Sequence, residues 1–217
     1  MDAATARKIL AQKEPANLYD AVQPALTDKK LRGELVEGSF AKDETYRYNC
    51  ARVFSRAIQS RPDLFYPDWD RFAEKIDSPN SFHRSVGAQA IAHLASVDDD
   101  CRLDPIFDHY LELLNDSKVM VSRYFLETLP LVYRARPDLQ ARIIACLLNV
   151  DKTKHTPSRK DLLKGDIIRL FDQLFDSLST KDKKKALSFA KDQLESSSPK
   201  ARQAAQDFEK KREEEHK

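Results

Sequence analysis

The chain has 217 residues, of which 37 are Lys or Arg and 35 are Asp or Glu, a formal net charge of +2. Apolar residues make up 41% and charged residues 33%, too apolar for wholesale disorder and ordinary for a soluble helical protein. With glycine only at 33, 38, 87 and 165, the sequence cannot assemble a Walker A loop, a dinucleotide-binding turn or a Gly-x-Ser-x-Gly nucleophile elbow.

Good helix formers dominate, and no run alternates with period two over the length of a strand, so the expected class is all-α. In chain order, shorter first helices are expected at residues 18–26, 68–76, 105–114, 139–148 and 183–194. Longer second helices alternate with them. Arg47, Arg84, Arg123, Lys164 and Arg202 open these second helices at intervals of 37, 39, 41 and 38 residues. Offsets of 3, 6, 7 and 10 from the first four of these basic residues are almost all apolar. They read Cys50, Val53, Phe54, Ala57; then Gly87, Ala90, Ile91, Leu94; then Leu126, Leu129, Pro130, Tyr133; then Ile167, Leu170, Phe171, Leu174. Such spacing traces one face of a helix. Arg61-Pro62-Asp63-Leu64 and Arg136-Pro137-Asp138-Leu139, 75 residues apart, each follow a second helix and read as punctuation between units.

Helix starts are expected at Ser78-Pro79, Asp104-Pro105 and Ser198-Pro199, where an N-cap acceptor precedes a proline suited to the first turn. Ser158 to Asp161 resembles a capping box. Asp43 is placed as an acidic cap four residues before Arg47. Pro24 and Pro130 fall inside expected helices and are expected to kink them, with Pro130 alternatively splitting its helix in two.

These residues resemble the HEAT-like repeat family, helical hairpins in which an acidic residue, a basic residue and an apolar stripe mark the second helix. The Asp43…Arg47…Ala51 and Asn80…Arg84…Ala88 units fit best; Glu127 and Lys164 depart from the pattern. The resemblance spans about residues 17–208 and implies a right-handed α-solenoid (HEAT/armadillo-like) of about five antiparallel hairpins, with residues 1–198 as the repeat domain. Residues 199–217 read as a C-terminal capping helix and charged tail. The recurring basic residues are expected to tie each repeat to the acidic loop of its neighbour.

Chemistry-bearing patterns are sparse. His83, His93, His109, His155 and His216 show no metal-ligand spacing, and no cofactor or catalytic residue is expected. Asp98-Asp99-Asp100 reads as a solvated turn. Lys181–Lys185 reads as a helix start, with a phosphate patch as the alternative. Trp69, with Phe72, Ala73 and Ile76, reads as core. Cys50, Cys101 and Cys146 are odd in number and read as small buried hydrophobes in a reducing compartment. No stretch approaches the roughly 18 apolar residues of a membrane span. No leader is visible at Met1–Lys8, so a cytoplasmic location is expected. A protein-binding scaffold is therefore the expected function, with another protein or peptide as partner on the concave face of the second helices. The register exposes Tyr48, Arg52, Gln89, His93, Tyr124, Thr128, Arg169 and Gln173 there. The alternatives are a nucleic-acid binder, since residues 151–217 carry 17 basic and 13 acidic side chains, and an enzyme accessory or lyase-type helical repeat.

Overall fold

A computed structural model describes residues 1–215. Every regular element among them is helical, and no strand occurs among them. The chain divides into two compact units, Met1–Asp104 and a second beginning at Pro105.

The first unit comprises α1 (Ala3–Leu10), a 3-10 turn at Leu18–Ala21 leading into α2 (Val22–Thr27), α3 (Lys29–Gly38), α4 (Glu44–Ser60), α5 (Trp69–Lys75) and α6 (Ser81–Leu94). α3 packs on α4, α5 on α6, and the long helices α4 and α6 lie against each other. Phe54 of α4 stacks on Phe72 at 5.2 Å and meets Phe65 edge-on at 5.3 Å, with Trp69 buried beside them. Each fully buried side chain of this size contributes on the order of 2 kcal/mol.

The second unit comprises α7 (Phe107–Leu111) between two 3-10 turns, α8 (Val119–Ala135), α9 (Gln140–Leu148), α10 (Pro157–Leu174), α11 (Thr180–Lys191) and α12 (Pro199–Glu215). α10 lies between α8 and α12, and α11 packs on α12. Ala201, Ala204 and Ala205 face inward from α12, which brings it close to α10, and Phe208 closes the same face. Residues 216 and 217 of the expected tail lie outside the described residues. In α4, α6, α8 and α10 every residue of the expected apolar stripe is buried, so the 3, 6, 7, 10 register holds in both units.

The basic residues also make a contact that was not expected. In α4, Asp43 caps the helix by accepting from the Tyr46 N–H at 2.7 Å, and four residues on Arg47 turns back. Its Nη1 donates to the carbonyls of Ala41 at 3.1 Å and Lys42 at 3.3 Å, in the loop before its own helix. Asn80 and Arg84 repeat this in α6, where Nη1 reaches Ser78 O at 2.7 Å and Pro79 O at 3.3 Å. Ser198 and Arg202 repeat it in α12, reaching Ser196 O at 2.5 Å. Arg32 does the same from α3, bonding Ala25 O and Leu26 O at 3.3 and 3.2 Å behind the Asp28 cap. The arginines thus clasp the chain leading into their own helix. Lys164 finds a carboxylate in its own preceding loop, Asp151 at 2.9 Å.

The Arg-Pro-Asp-Leu copies share one geometry. Arg61 ends α4 and Arg136 ends α8, each proline opens a 3-10 turn, and each guanidinium forks onto the aspartate two residues later. The distances are 2.8 and 2.5 Å for Arg61–Asp63 and 3.0 and 2.7 Å for Arg136–Asp138. The bond to its arginine holds each aspartate below the ordinary carboxylate range.

Several boundaries differ from expectation. α1 was not anticipated, and α3 forms where the sequence pattern around Asp28–Gly38 is too weak to anchor a unit; α1 is held by Glu34, which pairs with Arg7, and by Asn49, which donates to Leu10 O at 3.1 Å and Gln12 O at 2.8 Å. The residue 105–114 helix is α only over Phe107–Leu111. The α10 cap is Thr156 with Pro157 at the first position, so Ser158 lies inside the helix; the α6 cap is Asn80 rather than Ser78. Pro24 sits in the first turn of α2, where it costs no hydrogen bond. Pro130 lies within an unbroken α8. Asp98 is buried rather than solvated: it accepts from the backbone N–H groups of Arg102 and Leu103 at 2.9 Å and from the Tyr66 hydroxyl at 2.7 Å.

Replacing Arg84 by Met keeps the aliphatic stem but strips the loop carbonyls of their donor. This should destabilise the chain by about 1–3 kcal/mol in urea unfolding, and Arg84→Lys should recover part of it; equal stability of Arg84→Met and the parent would show the clasp to be decorative. Gly87 faces the α5 backbone so closely that an added Cβ would stand 2.8 Å from Phe72 O, whereas a Cβ on Gly33 meets nothing within 4 Å. Gly87→Ala should therefore destabilise by about 1–3 kcal/mol, and Gly33→Ala, mid-helix in α3, should stabilise by about 0.5–1 kcal/mol in the same measurement.

Candidate binding groove

Where α8 lies beside α10 in the second unit, a groove of about 360 Å³ opens on the outer side of both helices. Met120 and Tyr124, one turn apart on α8, stand on one wall and are 48% and 38% exposed, unusual for large apolar side chains. Arg123 and Glu127 form the adjacent stripe of α8, and Asp166, Arg169, Leu170 and Gln173 of α10 complete the lining.

The polar centre is Asp166. Arg123 Nε donates to its Oδ2 at 2.6 Å and Arg169 Nη1 to its Oδ1 at 2.9 Å, so one half-buried carboxylate serves two guanidiniums. The bond to Asp166 raises the Arg123 guanidinium further above its ordinary value, with Glu127 adding to it through space. The two arginines and two carboxylates of the lining balance in formal charge, while neither guanidinium has a carboxylate to itself. Such a surface offers apolar anchors and hydrogen-bonding groups in a fixed arrangement rather than a strong field.

Of the residues expected on the binding face, Tyr124, Arg169 and Gln173 meet in this groove. Thr128 is turned inward: its hydroxyl donates to Tyr124 O at 3.1 Å and is hydrogen-bonded with the buried Tyr110 hydroxyl. The other four belong to the first unit. Tyr48 packs edge-on against Phe82 at 4.8 Å, and Arg52 donates to the Tyr19 hydroxyl. Gln89 and His93 are half-buried on α6. Met120, Arg123, Glu127 and Asp166 were not anticipated. An acidic residue one position before Ile167 of the α10 stripe, three before an exposed arginine, was the signal available for Asp166. Arg123 was assigned a structural part because its counterparts have one.

Of the three cysteines, Cys101 is exposed rather than buried, and the other two are muted. Burial pushes the Cys50 thiol up to about 12 and the Cys146 thiol up to about 11, so both stay protonated and weakly nucleophilic near neutrality. Among the described residues no group of three or more His, Cys, Asp or Glu stands within reach of a common metal ion; His216 lies outside them. In the basic run at Lys181, Lys185 pairs with Asp182 at 2.7 Å and Lys183 lies over Phe175. Compared with models of known protein families, with characterised proteins and with solved structures, the chain gives no match.

Burial lowers both His83 and His93, and Arg47 and Lys75 add to the effect at His83. Above pH 6.5, their ordinary value, the two imidazoles are neutral in the folded and unfolded chain alike. As the pH falls through that value the unfolded chain takes up the protons first, so stability drops. The urea midpoint should therefore decline as the pH falls below about 6.5, and the double variant His83→Gln/His93→Gln should show a shallower decline.

Proposed function

We propose that this chain is a non-enzymatic scaffold that binds a partner protein through the exposed faces of its second helices. In this reading its hairpins, similar to HEAT repeats, follow one another as a right-handed α-solenoid, and an extended segment of the partner lies in the groove between α8 and α10. The observation that carries the reading is the groove itself: Met120 and Tyr124 are left exposed on a helix whose opposite face is fully buried. Arg169 stands opposite them with half of its side chain in solvent. Aromatic and arginine side chains around a shallow cleft are the residues that anchor protein interfaces. The lining does not favour nucleic acid, since its charges cancel and Lys164, Lys185 and Arg169 each already face a carboxylate.

The test is capture of partners by the tagged chain from its native cell, followed by binding of each captured protein in purified form. Tyr124→Ala and Arg169→Glu should each weaken the true partner by about 5- to 100-fold without changing helicity or melting temperature. Partners that bind both variants as well as the parent would overturn the assignment of this groove. Small-angle scattering fitted by a compact globule instead of an arc would overturn the solenoid.

A further inference from the structure

We propose that the outer face of α4 is a docking site for an acidic protein segment, one that presents two neighbouring carboxylates beside an apolar side chain. This surface belongs to the first unit and stands or falls separately from the groove between α8 and α10. Tyr48, Arg52 and Arg56 are four residues apart and share one face of the helix. Tyr19, from the 3-10 turn before α2, lies against them. Arg52 donates to the Tyr19 hydroxyl through both Nε and Nη2 at 3.3 Å. The guanidiniums of Arg52 and Arg56 stand 5.3 and 5.5 Å from the centroid of the Tyr19 ring. One aromatic ring therefore holds two guanidiniums in place, and both tyrosines remain more than 40% exposed.

The partner chemistry follows from what these two arginines lack. In the first unit Arg7, Arg61, Arg71 and Arg102 face carboxylates, and the loop-clasping arginines face main-chain carbonyls. Neither Arg52 nor Arg56 forms an ion pair with any described residue. Two like charges one helical turn apart repel each other, a modest cost that the negative face of the Tyr19 ring offsets. Carboxylates from outside would relieve the repulsion, and planar guanidinium forks already fixed on a ring lose little entropy in binding them bidentately. The exposed tyrosine rings seat an adjoining apolar group.

A protein segment fits better than a polynucleotide. Residues 1–104 carry 15 basic and 17 acidic side chains, a net charge of −2. A long polyanion feels that unfavourable field over its whole length, whereas a short acidic segment meets only the local arginine pair.

The experiment uses the full chain with short fluorescein-labelled peptides containing Glu-Glu-Phe or Phe-Glu-Glu, isosteric peptides with Gln for Glu, and oligothymidylate of matched charge. Fluorescence anisotropy is the readout. The Glu peptides should bind and the Gln peptides should not. Arg52→Glu/Arg56→Glu should weaken binding at least about tenfold while leaving helicity unchanged. Arg52→Lys/Arg56→Lys, which keeps the charge but loses the forks, should fall between. No binding of the Glu peptides, equal binding of the Gln peptides, full binding by the charge-reversed variant, or tighter binding of oligothymidylate would each overturn the proposal.

Discussion

A guanidinium turned back onto the chain that enters its own helix is the contact on which this architecture depends. The geometry is set by helix periodicity. With the N-cap at one position and arginine four residues later, the side chain lies one turn in, directed toward the helix N-terminus. Its Nη1 then meets the carbonyls one and two residues before the cap, as for Arg47 and Arg84. These carbonyls belong to a loop that has no helix or sheet to satisfy them, and leaving such groups unpaired at a half-buried site costs about 1–3 kcal/mol each. The cap satisfies the donors of the new helix while the arginine satisfies the acceptors of the old loop. Together they fix the angle at which α4 and α6 enter, and so which face each stripe presents to the core.

That dependence explains which parts of the fold were legible in the sequence. The stripe and its basic opener repeat because both are local consequences of one turn geometry, so the buried faces of α4, α6, α8 and α10 could be read directly. The Arg-Pro-Asp-Leu turns were legible as punctuation, although the Arg–Asp fork inside each copy was not. α1 escaped because its hold on the fold is remote in sequence, through Glu34 and Asn49. α3 escaped although Asp28 and Arg32 carry the same cap-and-clasp pair, because they come only 15 residues before Arg47 and break the period. Thr156 took the cap from Ser158 because Pro157 suits only the first helical position, a constraint stronger than the spacing of a capping box. Asp98 does not read as buried because its partners include backbone N–H groups and the hydroxyl of Tyr66, 32 residues earlier, which no local side-chain pattern announces.

The groove between α8 and α10 arises where the clasp is given up. Arg123 occupies the position of Arg47 and Arg84, yet it reaches across to Asp166 instead of back to its loop. The loop before α8 is held from elsewhere. His155 is buried with Nε2 at 3.0 Å from Leu114 O and 3.2 Å from the Ser122 hydroxyl, and the Lys154 N–H donates to Asn115 Oδ1 at 2.6 Å. Two residues of the following loop thus replace one arginine, and the freed guanidinium becomes part of a surface. Sequence position alone could not separate the two uses, because the deciding residue, Asp166, lies 43 residues away.

Folding therefore engages arginines in three ways, against loop carbonyls, against carboxylates and against aromatic rings, and only the carboxylates cancel the charge. On this basis the two exposed surfaces differ in kind. In the α8–α10 groove Asp166 and Glu127 balance the guanidiniums, so what that surface offers is Met120, Tyr124 and the placement of hydrogen-bonding groups. On α4, Tyr19 orients Arg52 and Arg56 without neutralising them, so what that surface offers is charge. Salt separates the two cases: screening over a Debye length of about 8 Å at physiological ionic strength weakens an exposed charge-led contact and barely touches an apolar anchor.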